Sequence, residues 1–292
     1  MSIKHPIVAV TGSSGAGTTY MRRAFLHLFR REQLQPAIIE GDCFHRYDRS
    51  EMQTAAEQAE REGRHLTHFG PEGNLFDELE CLFKRYADTG HGCRRYYVHN
   101  EEQAARHRQP PGTFTAWEEL PPDTDLLFYE GLHGALITDS VNVLRYIDLC
   151  IGVVPIINLE WIQKIHRDRA VRGYTTASAT RMILNRMHDY VYYITPQFSR
   201  TDINFQRVPI VDTSNPFAAE EIPGDEESFV IIHVRNVKKL QVDFRYLVEV
   251  LDGAFMSRHD TIVVPAGKKI LAIEFIITPV LDRLMKRRSQ AA

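Results

Sequence analysis

Two spacings of apolar residues alternate along the chain. Ile7 to Thr11 (IVAVT) is apolar on consecutive positions, as in a strand buried on both faces, and it runs into the glycines of GSSGAG. Beyond them MRRAFLHLFRRE sets Phe25, Leu28 and Phe29 at helical spacing. A short strand, AIIE, ends at Glu40, and an amphipathic helix around LFDELECLFKRY stops near Gly90. Leu126 to Tyr129 is a second fully apolar strand and ends at Glu130; IDLCIGVVP is a third and leads to the helix NLEWIQKIHRDRAVRG. The last third gives TRMILNRMHDYV as helix, RVPIVD and SFVIIHVR as strands, and a final helix from about Lys268 to Lys286. Strands alternating with helices predict an α/β fold with a doubly wound, mostly parallel sheet, extended by C-terminal strands and a helix. RRYYVH (94–99) reads as an edge strand, and the polar, proline-bearing residues 100–122 read as a mobile flap. The surface break PGDEES (223–228) falls within one compact unit, so residues 1–292 are expected to form a single domain.

Composition narrows the function by exclusion. Hydrophobic residues make up 43% of the 292, enough for a substantial core. A net charge of -3 gives no basic field for nucleic acid or an anionic membrane, so anion binding must be local. No apolar run has the length of a membrane span, and MSIKHPIVAV enters a strand without a charged-then-apolar leader, so a cytoplasmic protein is expected. Cys43, Cys81, Cys93 and Cys150 form no C-x-x-C pair and read as reduced thiols.

The loop from Gly12 through Ser13, Ser14, Gly15, Ala16 and Gly17 to Thr18 and Thr19 has the spacing of a phosphate cradle, G-x-x-x-x-G-K-[ST], with threonine in place of the lysine. Such a loop converges backbone N–H groups on phosphate oxygens, adds the positive end of the following helix, and offers a hydroxyl to magnesium. Taken alone it is equally an ordinary glycine turn. Glu130 stands at a strand's carboxyl end, where ligands gather in open α/β sheets and a carboxylate can hold a metal. Asp42, followed by His45, Arg46 and Arg49, offers a proton acceptor beside cations, the needs of a kinase acting on an anionic alcohol. Lys164, Arg167, Asp168, Arg169 and Arg172 put four cations and one acid on a helix opening near Asn158. An exposed helix face with an i,i+4 ion pair is the plainer reading of that group. The chemical one is that these cations replace the missing lysine, since phosphoryl transfer depends on where positive charge sits rather than on its place in the chain.

Together GSSGAGTT, EGDCFHRYDR, LLFYEGLHG, INLEWIQKIHRDRAVRGYT and TDINFQRVPIVDTSNPF resemble the bacterial class of phosphoribulokinases over nearly the whole chain, a class that also carries threonine for the loop lysine. The resemblance implies a P-loop kinase fold and transfer of phosphate from Mg-ATP to the C1 hydroxyl of D-ribulose 5-phosphate in the Calvin cycle. By motif position it implies Asp42 as base, Lys164 and Arg167 as stabilisers of the transferring phosphoryl, and Asp168 as catalytic. Thr19, Glu130 and Asp168 would hold Mg2+, and His45, Arg49 and Arg172 the sugar phosphate. It further implies a homo-oligomer activated by NADH and inhibited by AMP, with Arg31, Arg235 and Arg258 as effector candidates. Gln53 stands where the family often has lysine. The competing readings are a uridine- or pantothenate-type kinase of the same fold and a non-catalytic nucleotide-binding scaffold.

Overall fold

The computed structural model describes residues 4–13 and 15–291, without the side chains of residues 171, 172 and 291. Its strands are β1 (Ile7–Thr11), β2 (Pro36–Glu40), β3 (Cys93–Arg94), β4 (Glu118–Glu119), β5 (Leu126–Gly131), β6 (Leu149–Val154), β7 (Ile203–Pro209), β8 (Ser228–Val234), β9 (Phe255–Arg258) and β10 (Thr261–Pro265). Among the described residues eight of them form one sheet in the order β2-β5-β1-β6-β7-β8-β10-β9. The first five in that order are parallel; β8, β10 and β9 add antiparallel strands at one side.

Burial follows the layers. β1 and the body of β5 and β6 are covered on both faces, which is why their sequences are unbroken apolar runs, whereas β8 alternates buried and part-buried positions. One core packs Phe25 and Phe29 of α1 (Thr18–Arg31) and Ile273 and Ile277 of the C-terminal helix (Lys269–Ala291) on the sheet. The second sets α3 (Phe76–Thr89) on the other face, with Phe83 edge-on to Tyr129 at 5.4 Å. In the first core the Phe128 ring lies 4.9 Å from Phe25 and 5.3 Å from Phe29, so Phe128→Ala should cost about 3–5 kcal/mol.

Several boundaries differ from the sequence reading. RRYYVH is not an edge of the main sheet: only Cys93–Arg94 pairs, with β4, and Tyr97 makes an isolated bridge to Phe114. The supposed flap therefore begins at β3, and it contains a short helix, α4 (Glu101–His107). α2 (Arg49–Arg61) was not foreseen because its described face buries only Ala59 and leaves no apolar periodicity, although its Asp48–Glu51 capping box is readable. RVPIVD is paired only as far as Pro209. TRMILNRMHDYV is not one helix: α6 (Thr176–Asn185) ends before it does, and a π-helical turn covers Tyr190–Ile194. The helix with the cations, α5, spans Ile157–Arg172.

Candidate active site

Parallel strands bring the ends of β1, β2, β5 and β6 to one edge of the sheet, and the loop after β1 lies in the middle of it. The Gly12 N–H donates to the Gly131 carbonyl at 3.1 Å, fastening the loop to β5. Gly15 and Gly17 have φ of +120° and +97°, a region that side chains resist. A Cβ on Gly15 would also stand 3.2 Å from the Glu160 carbonyl oxygen, so α5 packs directly on the loop. The buried Ser13 hydroxyl donates to the Glu160 carboxylate, which also accepts from Tyr190 at 3.1 Å. Ser14 lies outside the described residues. Ala16, Gly17 and Thr19 border a second cavity of about 270 Å³, shared with Tyr20, Arg23 and Lys269.

Thr18 opens α1 and faces the main cleft, about 810 Å³, opposite Glu130. Burial raises the Glu130 carboxyl above its ordinary range, and a hydrogen bond from Thr18 and the charge of Arg22 only partly offset this. Across the cleft Asp42 sits in the 3-10 turn Gly41–Phe44 that follows β2. Its Oδ1 is 3.2 Å from His45 Nε2 and its Oδ2 is 3.4 Å from His99 Nε2. Burial acts to raise this carboxyl, but the His45 charge and hydrogen bond, with His99, outweigh it and hold the group well below the usual carboxylate range. Arg49 begins α2; its N–H donates to the Gly112 carbonyl at 2.8 Å and its guanidinium to the His99 carbonyl at 3.2 Å. The flap thus closes the Asp42 side of the cleft rather than the loop side.

On α5, Lys164 is 5% exposed and donates to Asp168 Oδ2 at 2.5 Å, while Arg167 Nη2 lies 3.3 Å from Asp168 Oδ1. Burial, then the charge of Arg186, lowers Lys164 to about 8 in spite of Asp168. The pair that could have been a solvated i,i+4 contact is therefore enclosed, with Asp168 fully buried. Among the described side chains of α5, Arg167 lines the cleft, beside Arg22, Arg49 and Arg186 from other elements; Lys164 stands one layer behind it, and Arg169 is exposed. The side chain of Arg172 is outside the described residues.

The cleft gathers Gly12, Thr18, Asp42, His45, Arg49, Glu130 and Arg167 from separate elements. It does not gather the expected metal group: Thr19 is exposed on the far side of the loop, Asp168 is enclosed by cations, and the described residues hold no cluster of three His, Cys, Asp or Glu side chains. Thr18, the residue in the lysine's place, is the hydroxyl beside Glu130. His99, Tyr97 and Arg186 also line the cleft and were missed: the first two lie in the segment read as a sheet edge, and Arg186 caps α6 within the segment read as one continuous helix, and neither reading points a side chain at the cleft.

A glycine loop at a central parallel strand, a carboxylate on the neighbouring strand and a cation-bearing helix over the loop define a P-loop phosphotransferase. The chain belongs to the family described as phosphoribulokinase / uridine kinase, whose model matches residues 7–214. It is 59% identical to the chromosomal phosphoribulokinase of Cupriavidus necator over the whole of both chains. With the phosphoribulokinase of Nitrobacter vulgaris it shares 56% over 99% of each. The solved phosphoribulokinase from Rhodobacter spheroides superposes with a TM-score of 0.90 at 49% identity, covering 99% of this chain and 100% of that one.

Proposed function

We propose that the chain is a phosphoribulokinase, transferring the γ-phosphoryl of ATP to the C1 hydroxyl of D-ribulose 5-phosphate in the Calvin cycle of a bacterial cytoplasm, with all 292 residues acting as one kinase domain. The observation that carries the reading is the pairing, across one cleft, of a phosphate loop with a carboxylate flanked by His45 and Arg49. An acceptor that is itself a phosphate ester needs such cations near its hydroxyl's base, whereas a nucleoside needs stacking and base-edge partners.

The residues present fit ATP. Gly15 and Gly17 hold the loop in a conformation that side chains resist, and the second cavity beside the loop gives room for the adenine, with the buried Tyr20 hydroxyl and Arg207 Nε left without partners. Glu130 and the Thr18 hydroxyl, on the cleft wall, would hold Mg2+, which would neutralise phosphate charge; Asp168 serves by orienting Lys164 and Arg167. Asp42 takes the hydroxyl proton, Arg167 meets the transferring phosphoryl, Arg49 and Arg172 hold the sugar phosphate by hydrogen bonds, and His45 contributes to holding it through its charge alone.

Regulation by NADH and AMP in a homo-oligomer belongs to the same proposal. Arg31 ends α1, Arg235 follows β8 and Arg258 ends β9, so strand direction puts all three at the sheet edge opposite the cleft. Arg31 there bonds to Glu32, Glu274 and Thr278. A coupled ADP-release assay with Mg-ATP tests the substrate: ribulose 5-phosphate should be turned over and uridine ignored. Turnover of uridine alone would make the chain a nucleoside kinase, and ATP binding without turnover of either would make it a scaffold.

A further inference from the structure

Asn74 is buried behind His45, at the end of the 3-10 turn Pro71–Gly73, and its backbone bridges that of His45. Its side-chain amide donates to two carbonyls, those of His68 at 2.9 Å and Gly70 at 2.7 Å. Both amide hydrogens are thereby committed, which settles which end of the group is oxygen. That oxygen lies 2.9 Å from His45 Nδ1. An amide oxygen only accepts, so Nδ1 must carry a hydrogen.

The consequence falls on the other ring nitrogen. His45 Nε2 is 3.2 Å from Asp42 Oδ1. A neutral ring protonated at Nδ1 would turn a bare lone pair towards a carboxylate, a repulsive contact; attraction requires a proton between the two atoms. Either the acid holds it and is already loaded, or the imidazolium holds it and the carboxylate is ionised. The carboxylate, 38% exposed to the cleft, keeps access to solvent that the buried ring lacks; His99 faces its remaining oxygen, and the His68 ring, its pKa lowered by burial and the His45 charge, packs on His45 at 4.1 Å.

We propose that Asn74 is a positioning residue for phosphoryl transfer: it pins a proton on His45 Nδ1, so the ring meets Asp42 only as an imidazolium donating from Nε2. The base is thereby kept ionised and aimed, with lone pairs free for the acceptor hydroxyl. In the transfer the acceptor O–H bond breaks and its proton goes to Asp42; the oxygen bonds to the γ-phosphorus, and the bond to the β,γ-bridging oxygen breaks with its electrons leaving on ADP. The His45 proton stays in place throughout. This inference rests on the reading of Asp42 as the base.

The direct test is long-range ¹H–¹⁵N spectroscopy of the wild-type enzyme labelled at histidine, with the His45 ring assigned by its loss in His45→Asn. Both ring nitrogens are expected to be protonated at neutral pH. A bare Nδ1, or a neutral ring protonated at Nδ1 alone, overturns the proposal without touching the substrate reading. In parallel, Asn74→Leu should lower kcat by about ten- to hundredfold with KM for ATP unchanged, the scale of losing a group that orients a functional side chain. Asn74→Leu with wild-type kcat overturns it too. If Asp42→Asn keeps its rate while ribulose 5-phosphate is still turned over, the base assignment itself falls, and the proposal with it.

Discussion

Thr18 shows how a residue can lose one role and hold another. A lysine there would bring an ammonium to the phosphates; threonine brings a hydroxyl to Glu130, whose carboxyl burial has already driven upward. Across the cleft the opposite balance holds, since two imidazoles keep Asp42 ionised against burial. Two carboxyl groups pushed apart by their surroundings mark a division of labour. Asp42→Asn removes the proposed acceptor of the proton and leaves the loop intact. Its kcat should fall by roughly 10²–10⁴, the contribution of a general base, with the dissociation constant for ATP held, as steady-state rates and ATP titration will show. A rate within threefold of wild type, roughly 0.7 kcal/mol, would exclude Asp42 from that role.

At the scale of elements, the flap is the part the sequence described least well. RRYYVH reads as a sheet edge and residues 100–122 follow neither period, so nothing in the pattern showed that Tyr97 and His99 reach the cleft or that Arg49 is seated beneath Gly112. α2 was hidden for a related reason: a helix that buries Ala59 alone carries no apolar stripe. β1, β5 and β6 were plain because strands buried on both faces must be apolar throughout, and the loop was plain because its chemistry is contained in eight consecutive residues. The β9–β10 hairpin was not resolved, since TIVVP alone does not distinguish a strand from a helix segment. Gly112 offers a test of the clamp. Its φ is +92° and an added Cβ would lie 2.9 Å from Arg49 Cβ. Gly112→Ala should raise KM for ribulose 5-phosphate roughly tenfold through backbone strain and a displaced arginine, leaving KM for ATP alone. Equal effects on both constants would separate the flap from acceptor binding.

Across the whole molecule, burial of polar groups sets how the fold answers to pH. His133 donates from Nε2 to the Phe69 carbonyl at 3.0 Å, and burial lowers it to about 3 from an unfolded value of 6.5. The unfolded chain therefore binds this proton first, and stability falls as pH drops from about 6.5 towards 3. Asp148, raised by burial to about 6, acts in the other sense: its contribution is lost as pH rises from 3.8 to 6. His133→Gln keeps a donor for Phe69 and removes the titration, so its Tm should decline less than that of wild type between pH 6.5 and 4.5; parallel curves would refute the assignment. Over the same span of the chain, the phosphate loop after β1 and the cations of α5 after β6 meet only because β1 and β6 are neighbours in the sheet. That meeting underlies the account of catalysis, in which Arg167 supplies the charge that Thr18 lacks. The measurement is kcat together with the ATP dissociation constant for Arg167→Ala. A fall in kcat of roughly 10³ or more, as for other arginines acting on a transferring phosphoryl, with ATP binding nearly unchanged, is the result predicted. A variant that turned over within tenfold of wild type, roughly 1.4 kcal/mol, would contradict it.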